Sequence, residues 1–260
     1  MLKKSLSQNL IKDKKILAKM VQSAGVTKDD LVVEIGAGHG DLTRAICNAA
    51  DRVYSIELDS SFRCYLETLE NEHKNLTVIF DDVLKVPFSR FGRDKKVKVI
   101  GNIPYKITGP ILFKIIEERA FVERACLTTQ KEIGQRIVSL SHRRSYSALS
   151  VICRLVADVR ILFLLKPGVF VPPPKIDSIY FSMVFRDETR YIDDALMGFI
   201  KHCFENKRKY LKHALSKYYA EEQIAALYTS MGFSQSIRAE EIEPETFVEM
   251  YRQLNVSCTF

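Results

Sequence analysis

Residues 99–110 read VIGNIPYKITGP, in which an apolar run gives way to a glycine, a primary amide, a proline and an aromatic ring. The residue before a proline is pushed into an extended conformation, and Pro104 has a fixed φ and no N–H, so Asn102–Tyr105 is a stiff segment. Its polar groups are the Asn102 side-chain oxygen and the Ile103 carbonyl. Two acceptors side by side can hold both hydrogens of an exocyclic amine. An adenine amine is a poor nucleophile because its lone pair is delocalised into the ring. Acceptors drawing on both hydrogens favour a pyramidal nitrogen, closer to the transition state for methyl transfer. Tyr105 can lie flat on the base and hold it in line with a methyl donor. The plainer reading is a proline-stabilised turn with a buried tyrosine.

A second set of residues lies upstream. VVEIGAGHGDL puts Gly36, Gly38 and Gly40 directly after an apolar run, where glycines let backbone approach a ligand. Glu57 follows Gly36 by 21 positions, about the distance at which an acid meets ribose hydroxyls. The spacing is G-x-G-x-G, which fits a nucleoside better than a dinucleotide, since no pyrophosphate needs cradling. Asp82, in FDDV, can accept from an adenine amino group. S-adenosylmethionine is the natural candidate ligand.

These residues need a scaffold that brings them together. Strand-like runs occur at LVVEI (31–35), VYSIEL (53–58), LTVIF (76–80), VKVIG (97–101) and ACLTT (125–129), separated by helix-like stretches. That alternation predicts parallel βαβ units. Asp41 and Ser60 are placed to cap the helices after the first two strands. VRILFLLKP and SIYFSMVF flank GVFVPPPKID and read as an antiparallel closing pair around a proline-stiffened loop. Beyond Arg186 the chain turns charged and helical. The expected division is a domain over 1–186 and a helical domain over 187–260.

Bulk properties narrow the class. No apolar run approaches a membrane span, and MLKKSLSQNLIKDKK lacks the apolar core of a secretory signal. The six cysteines (47, 64, 126, 153, 203, 258) are scattered without a CxxC pair, which speaks for free thiols in a reducing cytoplasm and against a metal site or disulfide scaffold. Residues 187–260 hold 9 Lys/Arg against 12 Asp/Glu, whereas residues 1–186 hold 30 against 20. A basic N-terminal body suits a polyanionic partner.

Taken with the stretches SQNLI (7–11), IELD (56–59), QKEIGQRI (130–137), VFVPPPKIDS (169–178), FENKRKYLKHAL (204–215) and RAEEIEPETF (238–247), the chain resembles the rRNA adenine dimethyltransferases of the KsgA type and their Erm relatives. The resemblance runs over nearly the whole length. It implies an α/β fold of the Rossmann-like class I methyltransferase kind, with a seven-stranded mixed sheet, helices on both faces and a small α-helical C-terminal domain. It implies S-adenosylmethionine as cofactor, lined by Asn9, Ile11, Gly36, Gly38, Glu57, Leu58, Asp82, Val83 and Asn102. It places Asn102, Pro104, Tyr105 and Phe170 around the target base, with Phe170 stacking on the face opposite Tyr105, although a core aromatic is the alternative for Phe170.

SQNLI departs from the usual KsgA-type GQNFL, and Ile103 replaces a common leucine, whereas the C-terminal stretches favour the KsgA type. The expected substrate is therefore two adjacent adenosines in the 3′-terminal hairpin loop of small-subunit rRNA, within an immature subunit. An Erm-type large-subunit enzyme, a non-catalytic assembly factor and a DNA adenine methyltransferase remain as alternatives. The protein is expected to act as a cytoplasmic monomer without membrane contact. Lysines 3, 4, 12, 14 and 15, Arg143 with Arg144, and the run Lys207, Arg208, Lys209, Lys212 and His213 are candidate phosphate contacts.

Overall fold

The computed structural model describes residues 9–92, 95–186, 192–206 and 209–256. Lys3, Lys4, Lys207, Arg208 and Cys258 lie outside the described residues. Two compact units are present, one formed by Met1–Gly134 with Asp158–Asp187 and the other by Gln135–Ala157 with Glu188–Phe260.

The first unit begins with β1 (Leu10–Ile11) and α1 (Lys14–Ser23), followed by β2 (Leu31–Ile35), α2 (Asp41–Cys47), β3 (Arg52–Glu57), α3 (Arg63–Glu72), β4 (Leu76–Phe80), β5 (Val97–Gly101), α4 (Thr108–Glu117) and β6 (Val122–Gln130). After α5 (Lys131–Ile137) and α6 (Ala148–Val156), the chain returns as β7 (Ala157–Leu165), β8 (Phe170–Val171) and β9 (Ser178–Phe185). Seven strands form one sheet in the order β4-β3-β2-β5-β6-β9-β7. Strands β2–β6 pair in parallel, and β9 runs antiparallel to β6. Consecutive residues Val32, Val33, Glu34 and Ile35 are all buried, as are all five of β5, so both faces of the central sheet are covered. One face carries the core formed by Leu17, Met20 and Val21 of α1, Leu42 and Ile46 of α2, and Val32, Val53, Leu76 and Ile100 of the sheet.

The sheet order reverses around β2, with β3 on one side and β5 on the other. A crevice opens at the carboxyl ends of the strands at such a point. A separate ribbon pairs β1 with β8 antiparallel, Leu10 opposite Val171 and Ile11 opposite Phe170.

Neither expected helix cap is the residue found, and α3 begins only after Phe62, its N-cap. The N-cap of α2 is Gly40, left-handed at φ 82°, and Asp41 is the first acidic residue inside the helix. Asp59 caps the 3₁₀ turn at Ser60–Phe62 by accepting from the Ser61 amide.

In the second unit α6 packs against α7 (Asp194–Cys203) and α10 (Pro244–Val256), while α8 (Leu211–Leu215) meets α7 and α9 (Glu221–Met231) meets α10. The division of the chain thus departs from the one expected at residue 186. Gln135–Ala157 groups with the later helices because α6 buries Val151, Ile152, Cys153 and Leu155 against them. Tyr146, just before α6, donates to the Ile242 carbonyl at 2.8 Å. No composition shift marks this insertion.

Glu34 is fully buried in the middle of β2. Its Oε2 accepts from Thr43 Oγ1 at 2.6 Å and Ser55 Oγ at 2.5 Å, and Oε1 has no partner. Burial pushes its pKa up to about 7, the two hydroxyls opposing the rise and the Glu57 charge adding to it. Between the ordinary carboxylate value and about 7, the folded protein keeps a proton that the unfolded chain releases. Stability from this group is therefore full at acid pH and falls as pH rises through that window, by about 3 kcal/mol in all. Unfolding free energies of the protein and its Glu34→Gln variant, from denaturant titrations between pH 4.5 and 8, should diverge by about that amount, with the variant lacking this pH dependence.

Candidate active site

Four loops at the carboxyl ends of β2, β3, β4 and β5 line one cavity of about 210 Å³, closed on another side by Asn9 and Leu10. From the glycine loop come Gly36 and Gly38, at φ 79° and 56°. A Cβ on Gly38 would lie 2.7 Å from Leu10 Cδ2, the movable end of that side chain, so it is the left-handed backbone angle that favours glycine here.

The amides of the loop's glycines are spent on the protein itself. Gly36 N–H donates to the Ile56 carbonyl, and Gly38 N–H donates to Glu57 Oε2, each at 2.9 Å. The other Glu57 oxygen accepts from the Asp59 amide at 2.8 Å. Glu57 is thus held by two backbone donors, and its remaining lone pairs are available to a ligand in the cavity that it lines. Burial raises its pKa above the ordinary carboxylate value, against the pull of those amides. Leu58, Val83 and half-buried Asp82 also line the cavity, and Asp82 Oδ1 accepts from the Leu84 amide at 3.0 Å.

The apolar walls include Ile35, Ile56, Phe62, Val83 and Ile103. A flat apolar base with a polar sugar fits a lining of apolar walls that also holds the Glu57 and Asp82 carboxylates. The residues present therefore suit S-adenosylmethionine.

The β5 loop supplies the other group. Asn102 Nδ2 donates to the Asn9 carbonyl at 2.6 Å, and Asn102 Oδ1 accepts from Thr128 Oγ1 at 2.8 Å. Pro104, at φ −62°, opens the 3₁₀ turn Tyr105–Ile107. The Tyr105 hydroxyl hydrogen-bonds Ser178 Oγ at the start of β9, and burial raises the Tyr105 pKa. Asn102, Ile103, Pro104 and Tyr105 all line the cavity.

Two expected site residues are elsewhere. Ile11 is 3% exposed and packs in the core, while Leu10 faces the cavity. Strand alternation sends the two neighbouring side chains to opposite faces. Phe170 is 2% exposed and belongs to the same core as Ile11, its partner across the ribbon. Phe170 is not among the residues that line the cavity.

Leu10, Phe62, Asp81, Lys106, Thr128 and Ser178 do not stand out in the sequence. The two hydroxyls depend on strand register, which sequence alone does not set.

Among the candidate cations, Lys12, Lys14, Lys15, Arg143, Arg144 and Lys209 are exposed, and Lys212 pairs with Glu221 at 3.0 Å. Cysteines 47, 64, 126, 153 and 203 are free thiols. No helix among the described residues is long and apolar enough to cross a membrane.

A family model described as ribosomal RNA adenine dimethylase matches residues 1–255. The chain is 34% identical over 253 residues to ribosomal RNA small subunit methyltransferase A of Chlorobaculum parvum, covering 97% of this chain and 89% of that protein. It is also 34% identical over 256 residues to the protein of the same name from Mycoplasmopsis synoviae, covering 97% of each. A dimethyladenosine transferase from Plasmodium falciparum superposes with a TM-score of 0.77 at 26% identity, over 93% of this chain and 95% of that one. The 23S rRNA methyltransferase ErmE superposes at 0.74 with 23% identity, over 95% of this chain and 100% of its own, a likeness of fold. The mixed seven-stranded sheet is thus of the Rossmann-like methyltransferase type.

Proposed function

Since the chain belongs to the ribosomal RNA adenine dimethylase family, we propose that it dimethylates the N6 amines of two adjacent adenosines in the 3′-terminal hairpin loop of small-subunit rRNA, as a monomer acting on the immature subunit in the cytoplasm. The observation that carries this reading is the meeting of Asn102 and Tyr105 with Glu57 and Asp82 around one cavity. The names of the Chlorobaculum and Mycoplasmopsis relatives favour the small subunit over the large one.

When bound, S-adenosylmethionine supplies a methyl group on a sulfonium, with a neutral thioether as leaving group. Glu57 accepts from the ribose hydroxyls. Asp82 accepts from the adenine amine of the cofactor, with Leu58 and Val83 beside it. On the substrate side, the second lone pair of Asn102 Oδ1 and the Ile103 carbonyl draw on the two hydrogens of the target amine. The Tyr105 ring bears on the base and holds it in line. No side-chain base is needed, because a methylated amine is cationic and loses its proton readily. The second transfer acts on an amine with one remaining hydrogen, so a single acceptor then carries the orientation. Exposed Lys12, Lys14 and Lys15 follow β1, and exposed Lys106 is on the cavity rim, where RNA phosphates pass.

The test is methyl transfer from labelled S-adenosylmethionine to unmethylated small subunits, naked small-subunit rRNA and large-subunit rRNA, with the modified nucleotides mapped. Dimethyladenosine at two adjacent small-subunit positions is the expected result. Label on large-subunit rRNA alone overturns the proposed target. Cofactor binding with no transfer to any of the three replaces the enzyme with an assembly factor.

A further inference from the structure

Thr128, near the end of β6, is fully buried, and its hydroxyl donates to Asn102 Oδ1 at 2.8 Å. Strand register explains the meeting. β5 and β6 run in parallel with Gly101 opposite Leu127, so the residue after each lies beside the other at the mouth of the sheet. Thr129 faces the opposite side, where its Oγ1 lies 3.4 Å from Thr108 Oγ1. Of the two adjacent threonines, only Thr128 reaches the Asn102 amide.

A carboxamide has two ends of the same shape and opposite hydrogen bonding. Its terminal torsion is broad and roughly two-fold, so one contact leaves the group free to swing. The Asn9 carbonyl accepts from Asn102 Nδ2 at 2.6 Å and so decides which end is which. A hydroxyl could accept as readily as donate, so Thr128 does not make that choice. Its donation instead fixes where Oδ1 lies. It occupies one lone pair and leaves the other for the cavity that Asn102 lines.

We infer that Thr128 is a positioning residue for methyl transfer, its hydroxyl holding Asn102 Oδ1 where a target amine must find it. This rests on the proposed role of Asn102. The hydroxyl does not touch the base. It acts through the amide, so its loss slows turnover without weakening the capture of either substrate.

The experiment compares Thr128→Val, which keeps the shape and removes the hydroxyl, with Thr128→Ser, which keeps the hydroxyl. Each is assayed on unmethylated small subunits with S-adenosylmethionine. Thr128→Val should lower kcat by about tenfold, the scale of one lost hydrogen bond, with both KM values within about twofold. Thr128→Ser should recover most of that loss. In an Asn102→Ala background, adding Thr128→Val should cost nothing further.

Wild-type kcat in Thr128→Val overturns the inference. An equal loss in Thr128→Ser also overturns it, because the defect is then one of packing. Should Thr128→Val fail to fold, Thr128→Ala takes its place in the comparison with Thr128→Ser and is read in the same way. Full turnover in Asn102→Ala is a separate result, which sinks the reading of the site itself.

Discussion

Asn102→Ala should lose methyl transfer by about a hundred- to a thousandfold, the effect of removing a polar group that acts on the reacting centre in the transition state. Binding of S-adenosylmethionine, read by calorimetry, should weaken far less than turnover, because Glu57 and Asp82 are untouched. The fold should survive at a cost. The amide is the partner of the Asn9 carbonyl and of the buried Thr128 hydroxyl. Leaving such groups unpaired destabilises by about 1–3 kcal/mol, which a denaturant midpoint will show. Asn102→Asp should be no better than alanine, since it sets a carboxylate oxygen against the Asn9 carbonyl while keeping the Thr128 contact. Full turnover in either variant would remove the amine-holding role.

Phe170→Ala is expected to destabilise the first unit by about 3–5 kcal/mol, the usual result of emptying a core aromatic site. Two accounts of this ring make opposite predictions. A residue stacked on substrate can be truncated with little effect on stability and a rise in the KM for RNA. A residue buried at 2% exposure beside Ile11, Leu165 and Tyr180 cannot. Phe170→Leu, which keeps most of the volume, should retain both stability and turnover. An Ala variant that unfolds at the wild-type midpoint and binds RNA poorly would restore the stacking account.

Much of the sheet is legible in the sequence because its signals are local. LVVEI, LTVIF and VKVIG coincide with β2, β4 and β5, and VYSIEL overlaps β3 with a shift of one residue. Such runs are dense in apolar and β-branched residues, which mark the strands of a covered parallel sheet, although in β4 at the sheet edge only Leu76 is buried. The loops holding Glu57, Asp82 and Asn102 are legible for the same reason, since they follow those strands directly. What sequence misses depends on long-range pairing. A two-residue strand such as β1 has too little sequence to show which of Leu10 and Ile11 faces the cavity. α6 is amphipathic in a way that suits either unit, so its grouping with α7 and α10 leaves no local trace. Thr128 becomes a partner of Asn102 only through the register of β5 on β6.

The small ribbon of β1 with β8 also sets an order of assembly. It joins residues 10 and 11 to residues 171 and 170, a closure over roughly 160 residues whose entropic cost is met only when both ends are present. During synthesis the glycine loop, Glu57 and the NIPY segment emerge and can pair their strands well before β8 exists. Asn9, whose carbonyl holds the Asn102 amide, has no strand to fix its neighbour Leu10 until Val171 has been made. The parallel half of the sheet can therefore pair before the partner of β1 has been made. A nascent chain of this protein can carry every polar group of the site and still lack the arrangement that makes them reactive.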